Sequence, residues 1–129
     1  MSLRLALASA IGTLIITACA GSSADSGLLE IAVDDFEFRP SAVTAASGDV
    51  QVEVRNVGGV DHNWTVLQPG AVIITSSEFE ASMALVVVDV APRAVETASF
   101  NLPPGPYVVI CTVPGHLEAG MKGELTIGG

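Results

Sequence analysis

The chain has 129 residues, half of them apolar and only 15% charged, with a formal net charge of −9. That size and hydrophobicity exclude a disordered chain and describe one domain able to bury a core without disulfides. Five Lys and Arg against fourteen Asp and Glu exclude nucleic acid as a partner, because nothing could neutralise a run of phosphates. The acidity either steers a basic protein partner by long-range attraction or only keeps the domain soluble.

Residues 1–18 read as a signal peptide. Arg4 precedes an apolar run from Leu5 to Ala18, too short for a comfortable membrane span but suited to a signal-peptide core. The run ends in Ile16-Thr17-Ala18-Cys19, which resembles the lipobox of bacterial lipoproteins. That resemblance implies acylation of Cys19, a membrane tether, and a folded part outside the cytoplasm; an uncleaved anchor is the alternative. Residues 19–28 are then the lipidated cysteine and a flexible linker, since AGSSADSG is small and polar throughout. Residues 29–129 form the domain.

From Glu30 onward the pattern is all-β. The apolar parity shifts from Ile31 and Val33 to Phe36 and Phe38, which predicts a bulge or strand break near Asp34 to Phe36. VQVEVRN (Val50 to Asn56) alternates as a half-buried strand should. His62 to Leu67 and Leu85 to Val90 are further strands, while Gln68 to Met83 is a loop, a short helix or an extra strand. Val95 to Leu102 is closed by the turn signal Pro103-Pro104-Gly105-Pro106. Tyr107 to Thr112, continuously apolar, predicts a central strand covered on both faces, and GELTI (Gly123 to Ile127) is the last strand. Strands punctuated by Gly, Pro, Asn and Asp, with no helical period, predict a Greek-key β-sandwich.

The rare residues gather at strand ends. Cys111, His116 and Met121 stand five residues apart in CTVPGHLEAGM, in a chain with two Cys, two His and three Met. With Cys19 claimed by lipid, Cys111 is a lone thiol in an oxidising compartment, a liability unless something occupies its sulfur. His62 opens a strand after the turn Gly58-Gly59-Val60-Asp61. If these strand ends meet at one pole, two imidazoles, a thiolate and a thioether converge. Soft sulfur with imidazole selects copper, and two His and one Cys with a weak axial Met form the blue-copper arrangement.

With those residues in place, the stretch from about 30 to 128 resembles a cupredoxin, the family of small blue copper proteins that includes plastocyanin, azurin and auracyanin. YVVICTVPGHLEAGMKGELTI is similar to the family signature along its length, and FEFRP, SGDVQVEVRN and DHNWTV match more loosely. The resemblance implies one copper ion held by His62, Cys111, His116 and Met121. It implies that Asn63 ties the two ligand loops together through hydrogen bonds, with Thr112 as a neighbour around the site. In azurin a glycine precedes the first histidine and its carbonyl approaches the metal weakly; Asp61 stands there, as a possible axial backbone contact. The His116 ring edge, with Val113, Pro114 and Leu117, is the implied docking and electron-transfer surface. Trp64, Tyr107 and Met83 are expected in the core, and Asp61, Glu118 and Lys122 on a solvated rim.

Competing chemistries fit less well. A Cys–His nucleophile lacks an orienting third group around Cys111, and zinc leaves the methionine unexplained. The chain is therefore expected to be no enzyme but a membrane-tethered, monomeric electron carrier, exchanging electrons with a cytochrome or another membrane-side redox protein. A copper chaperone or storage protein is the alternative; a colourless, Cu(I)-only protein would favour it.

Overall fold

A computed structural model describes residues 27–129. The expected signal peptide, Cys19 and most of the expected linker lie outside the described residues. Gly27 already belongs to the fold, its carbonyl accepting the Gln51 N–H at 2.7 Å.

Nine strands form two mixed sheets among the described residues: β1 (Leu28–Asp34), β2 (Glu37–Arg39), β3 (Ala42–Ala45), β4 (Val50–Asn56), β5 (His62–Leu67), β6 (Ala84–Val90), β7 (Val95–Phe100), β8 (Gly105–Ile110) and β9 (Lys122–Ile127). One sheet has the order β2-β1-β4-β7 and the other β3-β9-β8-β5-β6. β1 runs parallel to β4 and β3 parallel to β9, whereas the remaining pairs are antiparallel. The chain crosses repeatedly between sheets, giving the all-β Greek-key sandwich expected from the pattern. No helix among the described residues is long and apolar enough to cross a membrane.

Alternation explains how the sheets face each other. Val50, Val52 and Val54 of β4 are buried, and Gln51 and Arg55 between them are exposed. With Ile31 and Val33 they meet Trp64, Val66, Tyr107, Val109, Leu125 and Ile127 of the opposite sheet in one core. Each such side chain contributes about 1.5–3 kcal/mol on burial, set against the entropy of ordering the chain. The Tyr107 hydroxyl reaches the Pro103 carbonyl at 2.6 Å, so the turn before β8 is fastened to the core. Gly123 lets β3 come close to β9, because a Cβ there would lie 2.5 Å from the Ser41 carbonyl oxygen.

One expectation needs correction. The apolar run Tyr107 to Thr112 is not a strand covered on both faces: β8 ends at Ile110, and Val108 is 40% exposed. The strand buried at every position is β5. Its end at Leu67 is covered by residues 68–83, which run through two single-turn 3₁₀ helices (Ser76–Glu78 and Ala81–Met83). There Ala71, Ile73, Phe79 and Met83 pack on a second cluster of Leu67, Ile110 and Leu117. A segment of three-residue turns has no period to read, so its covering role is invisible locally.

The break near Asp34 is a tight turn between β1 and β2, with Phe36 at φ 73°. It sits at the same pole as the start of β5 and the loop after β8.

Candidate metal centre

The loop from Cys111 to Met121 is closed at its neck and braced inside. The Cys111 N–H donates to the Met121 carbonyl at 3.2 Å, and the Met121 N–H donates to the His116 carbonyl at 3.0 Å. His116 and Gly120 donate to the Val113 and Leu117 carbonyls, and Gly115 and Gly120 take the positive φ values (85° and 104°) that such turns require. His62 is delivered from the other side, as the first residue of β5. The preceding turn is held by Asn56, whose Oδ1 accepts the Gly58 N–H at 2.9 Å and whose amide donates to the Val60 and Val90 carbonyls.

Three donors converge. His62, Cys111 and His116 are buried, and their ligand atoms all lie within 4.8 Å of one another. The two Nδ1 atoms are 3.2 Å apart, and Cys111 Sγ is 3.5 Å from His116 Nδ1. Bonds of about 2.0–2.3 Å from nitrogen and thiolate to a first-row ion place three donors in a plane about 3.5–4 Å from each other. The three side chains fit one ion.

Electrostatics favour the same occupant. Burial pushes the Cys111 thiol above its ordinary range, more than the N–H groups of Asn63 and Val113 can offset. Burial first, and then His62, depress His116, which favours the neutral imidazole a metal requires. A buried neutral thiol beside two facing imidazole nitrogens becomes a strong donor set when a cation displaces the proton.

Asn63 joins the two ligand-bearing segments. Its N–H points at Cys111 Sγ (3.4 Å), its amide donates to Thr112 Oγ1 (2.8 Å), and its Oδ1 accepts the Thr112 N–H (2.9 Å). The Thr65 hydroxyl donates to the same Oδ1 at 3.1 Å, and the Asn63 amide also reaches Asp89 at 3.3 Å. Met121 is fully buried in the main core beside Cys111, bonded through its backbone to both Cys111 and His116. Asp61 is exposed and, with His62, Asp89, Glu96 and Val113, lines a shallow cavity of about 400 Å³.

The expected docking surface is redrawn by the structure. Pro114 is exposed and Val113 half-buried, but Leu117 is buried in the second cluster and is no part of an open rim. His116 is only 9% exposed. Phe36 stands against its ring, edge-on at 5.0 Å between centroids and 82° between planes. The β1–β2 turn therefore roofs the histidine edge.

Three contacts escape a reading of the sequence. Asp35 Oδ1 lies 3.3 Å from His62 Nε2 and accepts the Gly59 N–H at 3.1 Å. The Gly59 N–H first, and then His62, hold its carboxyl below the ordinary carboxylate range. Phe36 covers the imidazoles. Ser76 fastens residues 68–83 to the ligand loop: its N–H and hydroxyl donate to Glu118 at 2.9 and 2.6 Å, and its Oγ accepts the Gly115 N–H at 3.2 Å. The parity shift at Asp34 to Phe36 marks the turn, but only the fold shows where it points.

Residues 26–128 match the copper-binding proteins of the plastocyanin/azurin family. The chain is similar to auracyanin-B of Chloroflexus aurantiacus, with 35% identity over 85 residues, covering 54% of this chain and 36% of that protein. It is also similar to the iron uptake system component EfeO of Yersinia pestis, 29% identical over 124 residues, covering 96% of this chain and 29% of that protein. The chain thus spans about a third of the length of the curated relatives it matches. A solved auracyanin from Roseiflexus castenholzii superposes with a TM-score of 0.70 at 23% identity, over 81% of this chain and 98% of that one, a likeness of fold.

Proposed function

The chain belongs to the plastocyanin/azurin family of copper-binding proteins, and from that premise we propose that it is a blue copper electron carrier tethered to a membrane outside the cytoplasm. The convergence of His62 Nδ1, His116 Nδ1 and Cys111 Sγ within 4.8 Å is the observation that carries this reading. Two imidazoles and a thiolate suit copper, and buried Met121 is the candidate for the weak axial ligand. Copper would supply a one-electron couple. The chain's own residues hold the donors in place and keep water from the site.

The metal would sit at the edge of a packed core, braced by Asn63 and Thr112, so the donors need move little between oxidation states. Such bracing suits electron transfer, and a site enclosed by Phe36 and the ligand loop suits passing electrons more than transforming a substrate. We therefore read the protein as no enzyme. The pole of Phe36, Val113 and Pro114 would meet a redox partner, for which the net charge of −9 favours a basic cytochrome-like surface. A monomer, one copper ion, acylation at Cys19, cleavage after residue 18, and a domain from about residue 29 to 129 complete the proposal. The backbone carbonyl of Asp61, the residue before His62, is the candidate for a further weak axial contact.

A second reading has one observation in its favour. The similarity to EfeO runs over 96% of the chain, and that protein is named for iron uptake, so the domain could handle metal as a chaperone or store instead of moving electrons. Coulometry with visible absorption separates the two. A carrier takes up and returns one electron per copper without losing the ion. A chaperone stays colourless with Cu(I) and yields it to a competing thiol.

A further inference from the structure

We propose that Asp35 is a positioning residue for His62, its carboxylate accepting the Nε2–H so that Nδ1 is left free for copper while the charge favours Cu(II) over Cu(I). The inference rests on the copper reading above and adds to it a residue that sets ligand orientation and redox balance.

The assignment of ring nitrogens comes first. His62 Nδ1 faces His116 Nδ1 at 3.2 Å on the donor side, and His62 Nε2 faces Asp35 Oδ1 at 3.3 Å on the other. A neutral imidazole carries one proton. Asp35 offers that proton an acceptor at Nε2, so the Nδ1 lone pair is directed at the metal. Metal-binding imidazoles commonly donate their second N–H to a carboxylate, carbonyl or water, and this contact fixes the ring and raises ligand basicity.

The carboxylate is placed by the fold. Oδ1 is anchored by the Gly59 N–H at 3.1 Å. Gly58 is the residue that lets Asp35 approach: a Cβ there would lie 2.3 Å from Oδ1 and 3.2 Å from both Cγ and the Asp35 nitrogen. Asn56 in turn holds Gly58 by its N–H. On the next residue the chain adopts φ 73° and sets Phe36 edge-on against both imidazoles, 5.0 Å from His116 and 6.5 Å from His62 between centroids. Asp35 and Phe36 thus reach the histidine pair together. The carboxylate is half exposed while the His62 side chain is fully buried, so the charge acts on the site through one ring with partial solvent screening.

Three variants test the proposal. Asp35→Asn keeps an oxygen acceptor and loses the charge; Asp35→Ala loses both. Gly58→Ala leaves the carboxylate intact and pushes it away. At a fixed electrode potential, Asp35→Asn should shift the ratio of oxidised to reduced copper about three- to tenfold toward the reduced form, and Asp35→Ala at least as far. Gly58→Ala should shift it in the same direction. In the copper-free protein, nitrogen NMR should find the His62 proton on Nε2, exchanging slowly with solvent, and about tenfold or more faster in Asp35→Ala, with Asp35→Asn between. Ratios within twofold of the parent in all three variants, or a His62 proton on Nδ1, overturn the proposal. If the parent protein, loaded with copper, shows no thiolate-to-copper absorption, the carrier reading falls; the copper-free NMR measurement still decides the role of Asp35. Should Asp35→Ala fail to fold, Asp35→Asn and Gly58→Ala carry the test.

Discussion

Asn63 and Thr112 hold each other by two hydrogen bonds: the Asn63 amide donates to Thr112 Oγ1 at 2.8 Å, and the Thr112 N–H donates to Asn63 Oδ1 at 2.9 Å. Forty-nine residues apart, they join the segment that delivers His62 to the loop that delivers Cys111 and His116.

Asn63→Ala breaks that join and leaves the Thr112 N–H and the Thr65 hydroxyl without their acceptor. Each buried group left unsatisfied costs about 1–3 kcal/mol. Denaturant unfolding of the copper-free variant should show a loss of about 2–4 kcal/mol, and its copper should pass faster to a chelator. An unchanged unfolding midpoint would mean the bonds are not formed in solution.

Ser76 plays the corresponding part for residues 68–83. Ser76→Ala keeps the backbone N–H bond to Glu118 but removes the hydroxyl donor to Glu118 and the acceptor of the Gly115 N–H, a loss of about 1–2 kcal/mol. Native-state hydrogen exchange should show the Gly115 amide deprotected, with protection of the amides in β4 and β7 unaltered. Deprotection spread evenly over the protein would make the effect global, not a local unclamping.

Acid should loosen the same segment through Glu78. Its Oε2 accepts the N–H groups of Ile74 and Thr75 at 2.7 and 2.9 Å, and those bonds, Ile74 first, hold its carboxyl below the ordinary value of 4.5. A depressed folded value contributes stability that is complete above 4.5 and is lost as pH falls through the lower folded value. Protection of the Ile74 and Thr75 amides, taken relative to the intrinsic exchange rate at each pH, should therefore fall below pH 4.5 in the parent protein, and already be low at neutral pH in Glu78→Ala. A flat profile in the parent would contradict the capping role.

Much of this arrangement was legible in the residues. Alternation in Val50 to Asn56 marks β4, and the equal spacing of Cys111, His116 and Met121 marks the ligand loop, because both are local patterns. Contacts between distant segments were not legible. A run of apolar residues says nothing of which face is covered, so Tyr107 to Thr112 reads as fully buried although Val108 is exposed. β5, with polar Asn63 and Thr65 inside, is the strand buried at every position. Leu117 reads as a docking residue beside His116 until residues 68–83 are folded over it. Asp35 stands in a recognisable turn, yet its approach to His62 depends on the missing side chain of Gly58.

Phe36 combines strain with cover. A non-glycine residue at φ 73° costs about 1–2 kcal/mol, which Phe36→Gly relieves and Phe36→Ala does not. Both remove the ring standing against His116. Copper loss to a chelator should be faster in both variants, while the copper-free alanine variant should unfold at lower denaturant than the glycine one. Copper release at the parent rate in both would show that the ring does not guard the site.

An optical spectrum of the oxidised, copper-loaded protein, taken beside that of Cys111→Ser, tests the metal centre most directly. The parent should show an intense visible thiolate-to-copper band that one electron per ion bleaches and reoxidation restores, and the serine variant should show none. A colourless parent, or a serine variant that binds copper with equal affinity and the same absorption, would contradict the account.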